Sequence, residues 1–271
     1  MIRWKPILRF LAYAVLAAGL AQIAPFLLAL SDGDAGAVPF LSSILIALAA
    51  GFALYRLTTP VSVELSNREG VLIVVTAWIS ISIVGAIPFY LSPFFPSVTD
   101  AFFESVSGFT TTGSTVLASV EDLPRSINLW RHFMQWIGGM GIILLSIAIL
   151  PLIGVGGMVL YRSEFSGARS EKLTPRISET ASSLWKIYFS LSILQYAVLR
   201  LAGLDVFDSL CHMFSTMGTG GFSTRNANIA AFDSFTIELI LMFFMLISGV
   251  NFTVQYRLFA ERRVRRFFQD P

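Results

Sequence analysis

Two short runs rich in Thr and Gly hold the residues best suited to chemistry in this chain: Thr110, Thr111, Thr112, Gly113, and Gly218, Thr219, Gly220, Gly221. Hydroxyl and backbone carbonyl oxygens can replace the water around a cation. Glycine admits φ values that side-chain-bearing residues resist, so consecutive carbonyls can turn toward one axis. The chemistry indicated is coordination of a dehydrated cation. The runs are in register. Asp100 and Asp208, Ser107 and Ser215, Thr111 and Thr219, and Gly113 and Gly221 are all separated by one constant offset. One such run in an apolar protein is a weak signal, whereas two in register are a strong one. The competing reading is a pair of surface hairpins without ion contact.

Each run follows a short helix-like segment. Ala101–Phe109 would extend about 13 Å at 1.5 Å per residue, under half a bilayer, and Val206–Met217 has similar reach. A helix that enters, stops and returns as a Thr/Gly loop keeps its backbone polar groups away from lipid. The partly negative C-terminal end of such a helix favours a cation over an anion. Asp100 and Asp208 read as N-terminal caps, with concentration of cations at a mouth as the lesser alternative. Glu104 and His212 occupy matching positions near mid-helix. Glu104 reads as buried, either bracing the loop from behind or marking a pathway. His132 and His212 are expected to lie far apart, without a metal site.

The elements that carry these runs are strongly apolar: 55% of the 271 residues are hydrophobic, 13% are charged, and the mean hydropathy is +0.72. A soluble domain is about 45–50% apolar and about 25% charged, so an all-α integral membrane protein is expected. Spans of about 20 residues are read at Ile7–Leu30, Val38–Leu57, Val71–Leu91, Phe133–Leu160, Leu184–Leu201 and Phe235–Tyr256. The first is taken as retained rather than as a cleaved signal. Cys211 is the single cysteine, so no internal disulfide forms. No nucleotide loop, metal cluster, soluble catalytic domain or nucleic-acid partner is read, and the chain is not expected to be an enzyme.

Orientation follows from the basic residues. With both termini cytoplasmic, the 19 Lys and Arg divide 15 inside to four outside, the four being Arg125, Arg131, Arg200 and Arg225. That division requires both Thr/Gly segments to re-enter and return to the outer side. The expected organisation is a two-helix unit at 1–66, a first span–loop–span repeat at 67–165, a cytoplasmic linker at 166–174, and a parallel second repeat with a basic tail at 175–271. The helix of the second repeat is expected to start near Ser178, with Glu179 at its electropositive end. Gly138, Gly139 and Gly141 read as close helix contacts rather than a gating hinge, as do Gly154, Gly156 and Gly157. Lys186 is placed near a helix end and Gln195 at a helix contact. Glu261–Phe268 reads as an anchor to the inner leaflet.

At SVSGFTTTGST (Ser105–Thr115), WRHFMQWIGGMGI (Trp130–Ile142), KLTPRI (Lys172–Ile177) and STMGTGGFST (Ser215–Thr224) the chain resembles the Trk-type potassium uptake family, the TrkH/TrkG and KtrB group. The likeness runs over the whole chain. It implies a pore related to potassium channels, with Thr111, Thr112 and Gly113, and Thr219, Gly220 and Gly221, in the filter. Thr111, Thr112, Thr219 and Gly220 would be the direct K⁺ ligands, and Thr110 and Gly218 the flanking filter residues. The resemblance also implies a bacterial inner-membrane protein, a homodimer, and a cytoplasmic nucleotide-binding regulator of the TrkA type. Family chains carry four such repeats and this one carries two. The expectation is therefore a potassium transport subunit, driven by membrane potential or a coupled ion, that needs further repeats from a second half or from other copies. The alternatives are a non-conducting membrane assembly subunit and, less favoured, a permease for another solute. Permeases of that kind often use inverted repeats, whereas these repeats run parallel.

Overall fold

The computed structural model describes residues 2–58, 66–153 and 173–250, and among these the chain is helical with no strand. The elements are α1 (Trp4–Ala21), α2 (Ile23–Asp32), α3 (Ala37–Leu57), α4 (Asn67–Tyr90), α5 (Val98–Phe109), α6 (Arg125–Ile153), α7 (Leu173–Leu201), α8 (Val206–Met217), a 3₁₀ turn at Asn228–Phe232, and α9 (Phe235–Gly249). Residues 154–172, which include Gly154, Gly156, Gly157 and most of the expected 166–174 linker, and the basic tail lie outside the described residues.

Among the described residues, three helical stretches are long and apolar enough to cross a membrane: Trp4–Asp32, Ala37–Leu57 and Arg68–Tyr90. Their outer surfaces remain apolar. On α4, Val71, Val75, Ile79 and Ile83 are all exposed, a stripe at four-residue spacing that lies along one side of the helix. Against lipid there is little transfer energy to drive helices together, so association rests on close packing of small residues. That packing is visible between α1 and α3, where a Cβ on Gly19 would lie 2.7 Å from the Ala47 Cβ.

Several boundaries differ from expectation. The first span is broken at Gln22. Pro25 in the first turn of α2 cannot donate a hydrogen bond back to the preceding helix and crowds its carbonyl. α6 starts at Arg125, well before the expected Phe133, because its early polar groups find partners. Asp34, from the α2–α3 turn, accepts from the Ser126 backbone N–H (3.1 Å) and the Ser126 hydroxyl (2.7 Å), supplying an N-terminal cap from another part of the chain. α7 starts at Leu173 rather than near Ser178. Pro175 falls in its first turn, where a missing N–H costs nothing, and Glu179 is therefore not in that turn. Lys186 lies well inside α7, not near an end.

Two cores meet at α6. Phe40, Phe89, Phe109, Trp130 and Met134 join α3, α4, α5 and α6. Met140, Leu184, Tyr188, Met213, Met217 and Phe244 join α6, α7, α8 and α9. One long helix thus holds both short helices, and with them both Thr/Gly loops.

Candidate functional site

The short helices α5 and α8 are built alike. Ser97 caps α5 by accepting from the Asp100 N–H at 3.0 Å, and Asp205 caps α8 by accepting from the Asp208 N–H at 2.9 Å. Asp100 and Asp208 are therefore three positions past the caps, correcting the expectation that they are the caps themselves. Asp208 instead receives the Thr224 hydroxyl (2.6 Å) and Arg225 Nη2 (2.7 Å), both from the segment after the second loop. Asp100 accepts from the Ser97 hydroxyl at 2.7 Å.

Both helices end in the same reversal. Thr110 N–H donates to the Val106 carbonyl (2.9 Å), Thr111 to Gly108 (3.1 Å) and Thr112 to Ser107 (2.9 Å). In the second copy Gly218 donates to Phe214 (3.1 Å), Thr219 to Thr216 (3.0 Å) and Gly220 to Ser215 (2.8 Å). This is the Schellman pattern, with the residue after the cap in the left-handed region. That residue is threonine in both loops, with φ of +55° at Thr111 and +56° at Thr219. A β-branched residue there is strained, and such strain persists only where the surroundings enforce it. Two positions later Gly113 and Gly221 also take positive φ, +76° and +79°.

The loops sit against one another and against α6. A Cβ on Gly113 would come 1.9 Å from the Gly220 carbonyl oxygen, so the two loops touch backbone to backbone. Gly138 approaches the Phe109 carbonyl and Gly139 approaches the Gly218 Cα, with Cβ positions at 1.9 and 2.8 Å. These glycines serve close packing, as expected. Gly141 only touches Trp78 at 3.5 Å. Gln135 lies beneath the second loop, where its Oε1 accepts from Phe222 N–H at 3.3 Å. Thr112, Thr219 and Gly221 are exposed, Thr111 and Gly113 half-buried, and Gly218 and Gly220 buried. Thr110 is exposed, its hydroxyl 2.7 Å from that of Thr112.

Behind each loop a buried side chain at the matched helical position holds the returning chain. Glu104 accepts from the Thr115 hydroxyl (2.9 Å to each oxygen) and from Val116 N–H (3.2 Å). His212 Nε2 pairs with the Ser223 hydroxyl at 3.0 Å. Thr115 and Ser223 are themselves separated by the repeat offset, so a carboxylate and an imidazole do one job in two copies. Arg131 is buried at 1% exposure and paired with Glu104 at 2.7 Å.

The two histidines were expected far apart, and they are not. The His132 and His212 rings are 6.3 Å apart, centroid to centroid. The repeat scheme compares equivalent positions, whereas α6 packs directly on α8 and joins non-equivalent ones. No group of three or more His, Cys, Asp or Glu gathers among the described residues. Gln195 is buried with no hydrogen-bond partner for its amide, while nearby Trp136 Nε1 donates to the Ser192 hydroxyl at 3.0 Å.

Residues 38–270 match the family described as TrkH, cation transport protein. The chain belongs to the TrkH family. It is 42% identical over 275 residues to the Trk system potassium uptake protein TrkH of Vibrio parahaemolyticus, covering all of this chain and 56% of that protein. It is 43% identical over 273 residues to the protein of that name from Escherichia coli K12, with the same coverage. To the Escherichia coli TrkG protein it is 37% identical over 253 residues. The crystal structure of the potassium transporter TrkH from Vibrio parahaemolyticus superposes with a TM-score of 0.88 at 40% identity, over all of this chain and 55% of that one. The chain thus spans about half the length of the TrkH-family relatives it matches.

Proposed function

We propose that this chain is a potassium-translocating subunit of a Trk-type system in the bacterial inner membrane, and not an enzyme. The carrying observation is the pair of Thr/Gly loops with matching reversals, matching positive φ values and direct contact at Gly113 and Gly220. In this reading α5 and α8 re-enter the bilayer, and Thr110–Gly113 and Gly218–Gly221 form two walls of a filter. Thr111, Thr112, Thr219 and Gly220 are the direct ligands of the transported K⁺. The units are 1–66, 67–165, 166–174 and 175–271, with both termini cytoplasmic and a TrkA-type nucleotide-binding regulator docking from that side.

Two walls do not close a ring. The Gly113 face is covered by Gly220, yet a Cβ on Gly221, its equivalent, would meet nothing within 4 Å. Beside Gly221 opens a cavity of about 200 Å³ lined by Thr216, Thr219, Phe222, Met245 and Ser248. That open flank supports completion by further filter loops, from a second half or from other copies. It also favours the second reading, in which the chain alone is a non-conducting assembly subunit.

The test is to purify the assembly from its native membrane by a tag on this chain, reconstitute it, and measure rubidium uptake. Uptake displaced by excess potassium is expected. An intact assembly that carries no rubidium would overturn the proposal in favour of the non-conducting reading.

A further inference from the structure

We infer that Arg131 couples the two Thr/Gly loops and is a positioning residue for ion selectivity at both. The inference rests on the filter reading above. Arg131 lies on α6 and contacts the chain just past each loop, at Thr115 and at Phe222. Toward the first, its Nε donates to Glu104 Oε1 at 2.7 Å and its Nη2 to the Thr115 hydroxyl at 3.4 Å. Glu104 in turn holds Thr115 and the Val116 N–H. Toward the second loop, the guanidinium carbon sits 4.2 Å from the centre of the Phe222 ring. Phe222 directly follows Gly221, and its N–H is held by Gln135, one turn along the same helix. Asn128 Oδ1, accepting from Arg131 Nη1 at 3.0 Å, fixes the remaining edge of the fork. A planar guanidinium can pair and stack at once, which an ammonium cannot.

The fold does not require this arrangement. In the second copy the counterpart of Glu104 is His212, and that of Arg131 is Leu239, which is exposed. There the brace works with a neutral hydroxyl partner, and the nearby cation, Arg225, pairs with Asp208 rather than with the brace. Nor is stability a sufficient reason, because replacing a buried ion pair by apolar groups of similar volume is often neutral or stabilising. What the pair adds is a fixed distance between the backs of two loops whose fronts meet at Gly113 and Gly220.

The test uses the purified full chain and the reconstituted assembly. Removing one charge alone strands the other, so the paired variant Glu104→Gln with Arg131→Met is used. Hydrogen exchange should speed at least tenfold both at 114–117 and at 219–223, with α1 to α4 unchanged. Arg131→Lys keeps a charge for Glu104 but loses the planar face, so it should protect the first segment and release the second. Acceleration confined to 114–117 in the paired variant, or full protection of the second segment by lysine, would overturn the coupling. In the assembly, the rubidium-to-sodium uptake ratio should fall at least tenfold in the paired variant while its Tm holds. A parent assembly without rubidium preference would sink the filter reading and with it the selectivity role, leaving the exchange result to decide the coupling. A rubidium-selective parent whose paired variant keeps its ratio would sink the selectivity role alone.

Discussion

Thr111 and Thr219 hold one backbone conformation, φ +55° and +56°, at equivalent positions of the two repeats. Each follows a twelve-residue helix, and each starts a reversal closed by the same three backbone hydrogen bonds. Threonine gains nothing from this conformation, so two copies of the strain point to what the reversal presents: a row of backbone and hydroxyl oxygens at the end of a helix.

Gly113 and Gly221 should respond unequally to alanine. Both carry positive φ, which costs an L-residue about 1–2 kcal/mol. At Gly221 the added methyl meets open space, whereas at Gly113 it meets the Gly220 carbonyl. Thermal unfolding in detergent should show a modest loss for Gly221→Ala and a clearly larger one for Gly113→Ala. Equal losses would mean that the loops are not in contact.

The glycines of α6 should be graded by their neighbours. Gly138→Ala drives a methyl into the Phe109 carbonyl and Gly139→Ala into the backbone of Gly218, an overpacking cost of about 1–3 kcal/mol each. Gly141→Ala faces only ordinary contact with Trp78 and gains helix propensity of up to about 1 kcal/mol. Unfolding of the three variants should place Gly141→Ala at or above the parent and the other two below it.

Asp34→Ala should unfasten the start of α6. It removes acceptors for Ser126 N–H and Oγ, and loss of such a cap costs about 0.5–2 kcal/mol. Hydrogen exchange should quicken in the first turn of α6 while α8 keeps its protection. A silent variant would show that this cap contributes nothing.

Ser223→Ala should cost about 1 kcal/mol by removing the partner of His212 Nε2. His212→Ala should cost more, since it also opens a cavity among buried neighbours. A double-variant cycle should give a coupling of about 0.5–1.5 kcal/mol if the hydrogen bond forms in the native state.

Local patterns were legible in the sequence and long-range pairings were not. The Thr/Gly runs could be found because the second repeat copies the first at a constant offset, and Gly113 and Gly221 mark the positions that need positive φ. Val206–Met217 was read with its observed bounds for the same reason. Glu104 was legible as buried, since a carboxylate in an apolar short helix needs partners, with a brace as one of two roles left open. Arg131 was not, because its partner Glu104 lies on a different helix. The caps Ser97 and Asp205 were missed in favour of Asp100 and Asp208, because either spacing fits an acidic residue near a helix start. Proximity of His132 and His212 depends on how α6 packs on α8, which no repeat offset encodes.

The most direct test of the filter assignment is the rubidium-to-sodium uptake ratio of the reconstituted assembly carrying Gly221→Ser. Within this chain a side chain at Gly221 meets nothing, so the chain should fold with its Tm largely kept while the loop carbonyls shift, and the ratio is read on variant that assembles. The account predicts a fall in the ratio of at least tenfold. A folded variant with the parent ratio would contradict the claim that Gly218–Gly221 forms a wall of the filter.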